Sequence, residues 1–217
     1  MSTAILVDVA FFLKRFRHVY PKLNRNDPDV VGKTLYSMCM AHVDDIELYR
    51  ILAYDCSPLH KKTHHPLTGK AIDFSKLKGS VFRVELHNYL KRQRKVALRL
   101  GYLLGNSWKI KPEATKKLLN KKMDISELAD HDVEFDISQK GVDMKIGLDM
   151  TALALKKMVR QIILVSGDGD FVPAAKLARR EGIDVVLDPI WSPHIGDALH
   201  EHIDGLKSTA PRPDGHS

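Results

Sequence analysis

The chain has 217 residues and a formal net charge of +7, with 44% hydrophobic and 28% charged residues. These proportions are typical of a globular domain with a packed core and exclude a wholly disordered chain. The excess of positive charge favours a polyanionic partner such as RNA or DNA, or an anionic membrane surface.

The sequence predicts a cytoplasmic protein that does not enter a membrane. No apolar run approaches the roughly 18 residues that a membrane-spanning helix needs. The opening MSTAILVDVAFF has no basic segment before its apolar run, and the run contains Asp8, which favours a buried strand over a secretion signal. The two cysteines, Cys39 and Cys56, could pair, but their number suits a reducing compartment and their spacing defines no metal site.

In the first half of the chain, the pattern predicts two strands, three helices and an insertion. The strands are expected at about 3–9 and 46–55, and the first helices run through Phe11, Phe12 and Phe16 and over about 28–41. Residues 56–76 contain prolines and little apolar periodicity, which predicts an inserted loop. From 80 to 100 the apolar residues recur at helical spacing and Gly101 follows, which predicts one long helix.

In the second half, strands and helices alternate. The predicted elements are a strand-like stretch after 101, a helix from 112, a helix at 142–158, a strand at 161–166, a helix at 170–181, a strand at 182–190 and a short helix near 198. This alternation is typical of parallel βαβ units, so we expect an α/β domain over 1–207. The polar segment 208–217 is expected to be a flexible tail.

The stretch SGDGDF is the strongest candidate for a site. The apolar run before it brings Ser166, Gly167 and Asp168 to the carboxyl end of a strand, where open parallel sheets bind ligands. Gly167 allows a sharp turn beside the carboxylates, and Ser166 could bond either a ligand or the backbone. Asp170 is the expected cap of the next helix, so Asp168 is the stronger candidate for a functional carboxylate. A plain Gly-Asp turn would also explain the pattern.

Asp8 also ends an apolar strand. If the two strands are parallel and central, Asp8 and Asp168 reach the same edge of the sheet. Carboxylates that meet repel each other unless a cation or a proton lies between them. Hard oxygen ligands suit Mg²⁺ or Mn²⁺, so the sequence predicts a site for one of these ions. The alternative is that Asp8 only caps the next helix.

The segment KGVDMKIGLD supplies two further acids. Asp143 falls in the first turn of a predicted helix, where an acid can also serve the helix dipole. Asp149 lies about 120° around that helix from Asp143, so the two cannot face one point squarely. Asp143 is therefore the expected metal ligand, and Asp149 is the less secure one.

These motifs resemble the NYN (LabA-like) domain family, a branch of the PIN-like nuclease superfamily. The resemblance rests on KGVD with the second aspartate of VDMKIGLD, on SGDGDF, and on VDVAFF at the place of the first strand, and it spans about 3–206. It implies a three-layer α/β/α sandwich, PIN-like, with a central, mainly parallel sheet, a site for Mg²⁺ or Mn²⁺, and hydrolysis of RNA. Residue by residue, it implies catalytic and metal-binding roles for Asp8, Asp143, Asp168 and Asp170.

One departure from the family pattern keeps a second interpretation open. Many members carry DGxN at the first aspartate, whereas Val9, Ala10 and Phe11 follow Asp8 here. The alternative to a metal-dependent ribonuclease is therefore a weakly active or inactive module that binds RNA or a protein. Retention of four acids opposes that alternative, because a binder of polyanions gains nothing from clustered negative charge.

RNA, preferably single-stranded, is the expected partner, and a homodimer is compatible with the sequence. Basic residues would hold the RNA by contacting successive phosphates. The candidates are a stripe at helical spacing and a pair in the insertion: Arg92, Lys95 and Arg99, and Lys61 with Lys62. The stripe could equally be a solvated helix face.

Overall fold

The structure, a computed structural model, describes residues 2–43 and 47–213. The first residue of the strand predicted at 46–55 and the last four residues of the predicted tail lie outside these ranges.

Seven of the described strands form one central sheet. They are β1 (Ser2–Asp8), β2 (Glu47–Cys56), β5 (Val96–Ile110), β6 (Val133–Lys140), β7 (Gln161–Val165), β8 (Asp184–Asp188) and β9 (Gly205–Leu206). Their order across the sheet is β6-β5-β2-β1-β7-β8-β9. The β5–β6 pair is antiparallel and the other pairs are parallel, so the predicted mainly parallel sheet is confirmed.

Helices cover both faces of the sheet and confirm the predicted three layers. Their bounds are α1 (Val9–Val19), α2 (Pro28–Met40), α3 (Lys78–Arg92), α4 (Pro112–Leu119), α5 (Val142–Leu155), α6 (Val172–Arg180) and α7 (Asp197–His200). Helices α5 and α6 contribute to one core, and α1, α2 and α3 contribute to the other. The side chains of β1 alternate between the two cores, as expected of a central parallel strand buried on both faces.

The helix predicted over 80–100 is wrong in its second half. Helix α3 ends at Arg92, Lys95 has a positive φ of 60°, and β5 starts at Val96. Residues 93–100 mix apolar with basic residues and contain no glycine or proline, so the local sequence is compatible with either element. Pairing of β5 with β2 decides for a strand, because it completes the backbone hydrogen bonds of a central sheet.

The predicted insertion at 56–76 has defined structure. Strands β3 (Lys62–His64) and β4 (Ala71–Asp73) pair as an antiparallel hairpin, followed by a short 3-10 helix. The hairpin packs on the β5–β6 pair through the ring of His65, whose centroid lies 4.8 Å from that of Trp108. Lys61 and the hairpin therefore belong to a packed unit.

The segment after β9 begins with residues that contact the domain. The Thr209 hydroxyl donates to the Met38 carbonyl at 2.8 Å, and Ala210 is buried. Flexibility of the remaining tail stays a prediction. Cys39 and Cys56 are both free thiols. Among the described helices, none has the length and apolar character that crossing a membrane requires.

Candidate active site

The carboxyl ends of β1 and β7 lie side by side at the centre of the sheet. Val7 pairs with Val165 in register, so Asp8 and Ser166 are level with each other. Strand β2 lies on one side of β1, and β7 lies on the other. The order in which the chain adds strands to the sheet therefore reverses at β1, and open α/β sheets bind ligands at such a point. We call the aspartates at this position the acidic edge: Asp8, Asp143, Asp168 and Asp170.

Asp8 caps α1 and is also electrostatically strained. The backbone N–H of Phe11 donates to its Oδ1 at 3.0 Å, which confirms that Asp8 caps α1. The pKa of Asp8 is nevertheless raised to about 6, chiefly because burial disfavours the charged form. The negative charges of Asp143 and Asp55 raise this pKa further. Capping of α1 alone does not account for the other carboxylates close to Asp8.

Asp143 is placed by the start of α5. Gly141 has a φ of 79°, a left-handed conformation that glycine adopts without strain, and the helix begins at the next residue. Asp143 is exposed in the first turn. Its pKa is raised by partial burial of the carboxyl and by the charges of Asp168 and Asp170. Three segments distant in sequence thus bring their negative charges within interaction range.

The turn after β7 presents two exposed carboxylates. Asp168, not Asp170, caps the short 3-10 helix that starts here: its Oδ1 accepts from the Asp170 N–H at 3.0 Å, so the predicted assignment of the cap was wrong. The buried Ser166 hydroxyl accepts from the Asp168 N–H at 3.2 Å and fixes the turn. A Cβ on Gly167 would lie 2.9 Å from the ring of Phe11, so a larger residue here would displace that ring.

Asp149 does not share the acidic edge. The Tyr54 hydroxyl donates to its Oδ2 at 2.9 Å, and Arg99 forms an ion pair with the same oxygen at 3.3 Å. Asp149 lies further along α5 than Asp143, and its carboxylate already has these two partners, so we omit it from the proposed metal ligands.

Two more strands end in aspartates that are buried and hydrogen-bonded to basic side chains. Asp55, at the end of β2, accepts from Arg83 and bonds His87 at 2.8 Å. Asp188, at the end of β8, bonds His42 at 2.8 Å. Sequence reasoning missed Asp55, although it follows an apolar run in the same way as Asp8 does, and that shared pattern was the available signal.

The predicted basic stripe does not exist, because its three members lie on different elements. Arg92 ends α3, and the Lys95 ammonium donates to the Leu48 carbonyl at the start of β2. Both therefore lie at the amino edge of the sheet, opposite the acidic edge. Arg99 lies on β5, where it neutralises Asp149.

The two lysines of the insertion differ in their surroundings. The Lys61 ammonium donates to the Gly105 carbonyl at 2.9 Å and lies 5.0 Å from the Phe135 ring centroid, which gives it a structural role. Lys62 is exposed on β3, and its binding role stays a prediction.

The acidic edge offers carboxylate oxygens that suit a metal ion, but these carboxylates are not already arranged around one point. Within residues 2–43 and 47–213, no group of three histidine, cysteine, aspartate or glutamate side chains is arranged to hold a metal ion. In the same ranges, no basic side chain forms an ion pair with any of the four acids. Unneutralised carboxylates are the donors that Mg²⁺ and Mn²⁺ prefer, so the residues fit such an ion in their chemistry.

The fold and these motifs define a nuclease-type α/β domain, and comparison with known families agrees. The sequence model described as NYN domain matches residues 62–204, and the chain belongs to that family. NYN domains are part of the PIN-like nuclease superfamily. The match includes Asp143, Asp168 and Asp170, starts after Asp8, and begins inside the segment predicted as an insertion.

A solved structure of a protein of unknown function from Vibrio parahaemolyticus is similar to this chain. The two are 19% identical, the alignment covers 94% of this chain and 90% of that one, and the TM-score is 0.46. No curated protein matches the chain.

Proposed function

We propose that this protein is a ribonuclease that hydrolyses RNA phosphodiester bonds at the acidic edge with the help of Mg²⁺ or Mn²⁺. The observation that supports the proposal is that Asp8 and the Asp168 turn follow adjacent central strands, while the charge of Asp143 on α5 interacts with those of Asp8 and Asp168. Family membership supports the same class of reaction. The positive charge of the chain suits an RNA substrate.

The residues of the site have two tasks in this proposal, which are to hold the cation and to fix the turn after β7. Asp8, Asp143 and Asp168 would hold the cation, with Asp170 next to them on the turn. The Ser166 hydroxyl fixes the backbone of the turn and so orients Asp168. A divalent cation held there would lower the pKa of water and stabilise charge on the leaving oxygen. The protein then needs no nucleophilic side chain of its own.

Cleavage of a labelled single-stranded RNA tests this function. The wild-type protein is expected to cut with Mn²⁺ or Mg²⁺ and to stop in EDTA. Asp168→Asn keeps an oxygen that can cap the 3-10 helix but removes a charge, and we expect the rate to fall about a hundredfold or more, because metal-stabilised charge contributes several kcal/mol. The matched control is Asp130→Asn, which removes an exposed carboxylate from the short 3-10 helix before β6 and should cut like the wild type. Equal cutting by Asp168→Asn would contradict the proposal.

One observation favours a second candidate, an RNA-binding module with little activity. Phe11 stands where many family members have asparagine, and its ring lies against Gly167 at the site. A polar contact to metal or substrate is thus replaced by an apolar one. RNA binding without cleavage under every metal condition would select this candidate.

A further inference from the structure

A cavity of about 530 Å³ lies between α1 and the loop that follows β8. The side chains on its walls that bear on ligand binding are Arg15, His18, Trp191, Ser192, Ile195 and Arg212. Its described wall residues include basic, aromatic and hydroxyl groups but no aspartate or glutamate. The cavity therefore suits a ligand that is both aromatic and negatively charged.

The loop that forms one wall is held in a costly conformation. Ile190 has a φ of 46° and Trp191 a φ of 54°, and a β-branched residue rarely adopts a positive φ. Arg15 stabilises this conformation by donating to the Ile190 carbonyl at 3.0 Å and to the Trp191 carbonyl at 2.8 Å. Asp188 accepts from the Ile190 N–H at 2.8 Å. Strain that the surroundings enforce in this way is common at binding sites.

The strained loop fixes the indole of Trp191 in the cavity wall. The indole N–H donates to the Ala210 carbonyl at 2.7 Å, and the backbone N–H donates to the Ser208 hydroxyl at 3.2 Å. Trp191 is nevertheless 37% exposed. The Arg212 guanidinium lies over its ring, 5.4 Å from the centroid. A rigid, partly exposed indole with a guanidinium over its ring combines the groups that contact a nucleobase and its phosphate.

The same loop connects the cavity with the acidic edge. A Cβ on Gly167 would lie 3.6 Å from the His194 carbonyl oxygen, so the loop passes directly beside the turn that bears Asp168. The acidic edge repels a polyanion, and the predicted basic stripe is absent. Arg15 and Arg212 provide positive charge in the cavity wall. Two of the five N–H groups of the Arg15 guanidinium serve the loop carbonyls.

We propose that this cavity binds one nucleotide of a single-stranded RNA whose neighbouring phosphodiester lies at the acidic edge. The base stacks on Trp191, and the phosphate of that nucleotide is held by Arg212 and Arg15. This assignment rests on the proposed function and adds to it the element that holds the substrate. It also explains how a site lined with carboxylates retains RNA.

The test is the affinity of the full chain for a fluorescently labelled single-stranded RNA, measured by anisotropy in EDTA so that no cleavage occurs. Trp191→Ala is expected to raise the Kd about tenfold or more, because stacking of one base on an aromatic ring has an effect of this size. Trp191→Phe keeps an aromatic face and should stay within about threefold of the wild type.

Arg212→Gln is expected to weaken binding. It should also reduce the slope of log Kd against the logarithm of the salt concentration by about one. The matched control is Arg25→Gln, which removes the same charge from the exposed loop between α1 and α2. Circular dichroism checks that each variant is folded. If Trp191→Ala does not fold, the salt dependence of Arg212→Gln decides, because the Arg212 side chain is exposed.

The outcomes separate this inference from the proposed function. If the wild type binds and cleaves RNA but Trp191→Ala and Arg212→Gln bind like Arg25→Gln, the cavity assignment is overturned and Trp191 only anchors residues 208–213. If the wild type does not bind RNA in EDTA, the assignment is overturned as well. Metal-dependent cleavage is scored separately and decides the proposed function.

Discussion

Asp8→Asn is expected to make the metal-free protein more stable at pH 7.5 and to abolish metal-dependent cleavage of RNA. Asparagine caps a helix as well as aspartate does, so α1 keeps its N-terminal hydrogen bond. The substitution removes a charge that burial and Asp143 disfavour. A pKa raised from 3.8 to about 6 corresponds to about 3 kcal/mol at most, and we expect a gain of about 1–3 kcal/mol in the free energy of unfolding.

The gain should depend on pH in a defined direction. Because the pKa of Asp8 is raised in the folded state, the protonated carboxyl contributes stability that is fully present below pH 3.8 and is lost as the pH rises through about 6. The difference between Asp8→Asn and the wild type should therefore be largest above pH 6 and vanish near pH 4. Urea unfolding in EDTA at pH 4 and 7.5 measures it, with Asp130→Asn as the control. A less stable Asp8→Asn at pH 7.5 would mean that the protein itself stabilises the carboxylate.

Asp55→Ala should have the opposite effect on stability and a large one. Asp55 is buried, and removing it leaves His87, also buried, and Arg83 without their shared partner. Breaking a buried ion pair from one side typically costs about 3–5 kcal/mol. The matched control is Asp136→Ala, which removes an exposed partner of Lys109 and should cost no more than about 1 kcal/mol. Equal losses in the two variants, measured by urea unfolding at pH 7.5, would show that the buried cluster contributes little.

The pH dependence of Asp55→Ala should also run opposite to that of Asp8→Asn. Burial by itself would raise the pKa of Asp55, but the hydrogen bond from His87 and the charge of Arg83 lower it below its usual value. A lowered pKa gives stability that is present above about pH 4 and is lost as the pH falls through the folded-state pKa. The deficit of Asp55→Ala should therefore shrink in strong acid. A deficit that is constant from pH 7.5 to 3 would exclude the ionised cluster as its source.

The sequence is sufficient to predict the parallel strands β1, β2, β7 and β8 and the aspartates that follow β1 and β7, but it does not predict β6 or β9. An aspartate at the end of a buried strand, as at Asp8 and in the Asp168 turn, has few places to point other than the carboxyl edge of the sheet. The sequence does not reveal which aspartates are already bonded to other side chains. Asp55, Asp149 and Asp188 receive their partners from elements 28 to 146 residues away, and only the packing of the helices determines those pairs.

The positions of the basic side chains could not be predicted for a related reason. The residues from 80 to 100 satisfy a helical period throughout, and local pattern alone does not mark the end of α3. Strand pairing with β2 moves Lys95 to the amino edge and Arg99 onto the sheet. Arg15, Trp191 and Arg212, which line the cavity, come from three segments with no shared motif. Their proximity arises only when the loop after β8 folds over α1.

Binding of Mn²⁺ tests the central claim most directly, because it does not depend on activity. Free Mn²⁺ gives an electron paramagnetic resonance signal that decreases when the ion binds, and the titration can be done on the full chain at pH 7.5. We expect the wild type to bind Mn²⁺, and we expect Asp8→Asn, Asp143→Asn and Asp168→Asn each to weaken binding at least about tenfold, with Asp130→Asn unchanged. Mn²⁺ binding that is equal in all five proteins, or absent from the wild type, would contradict a shared metal site at the acidic edge.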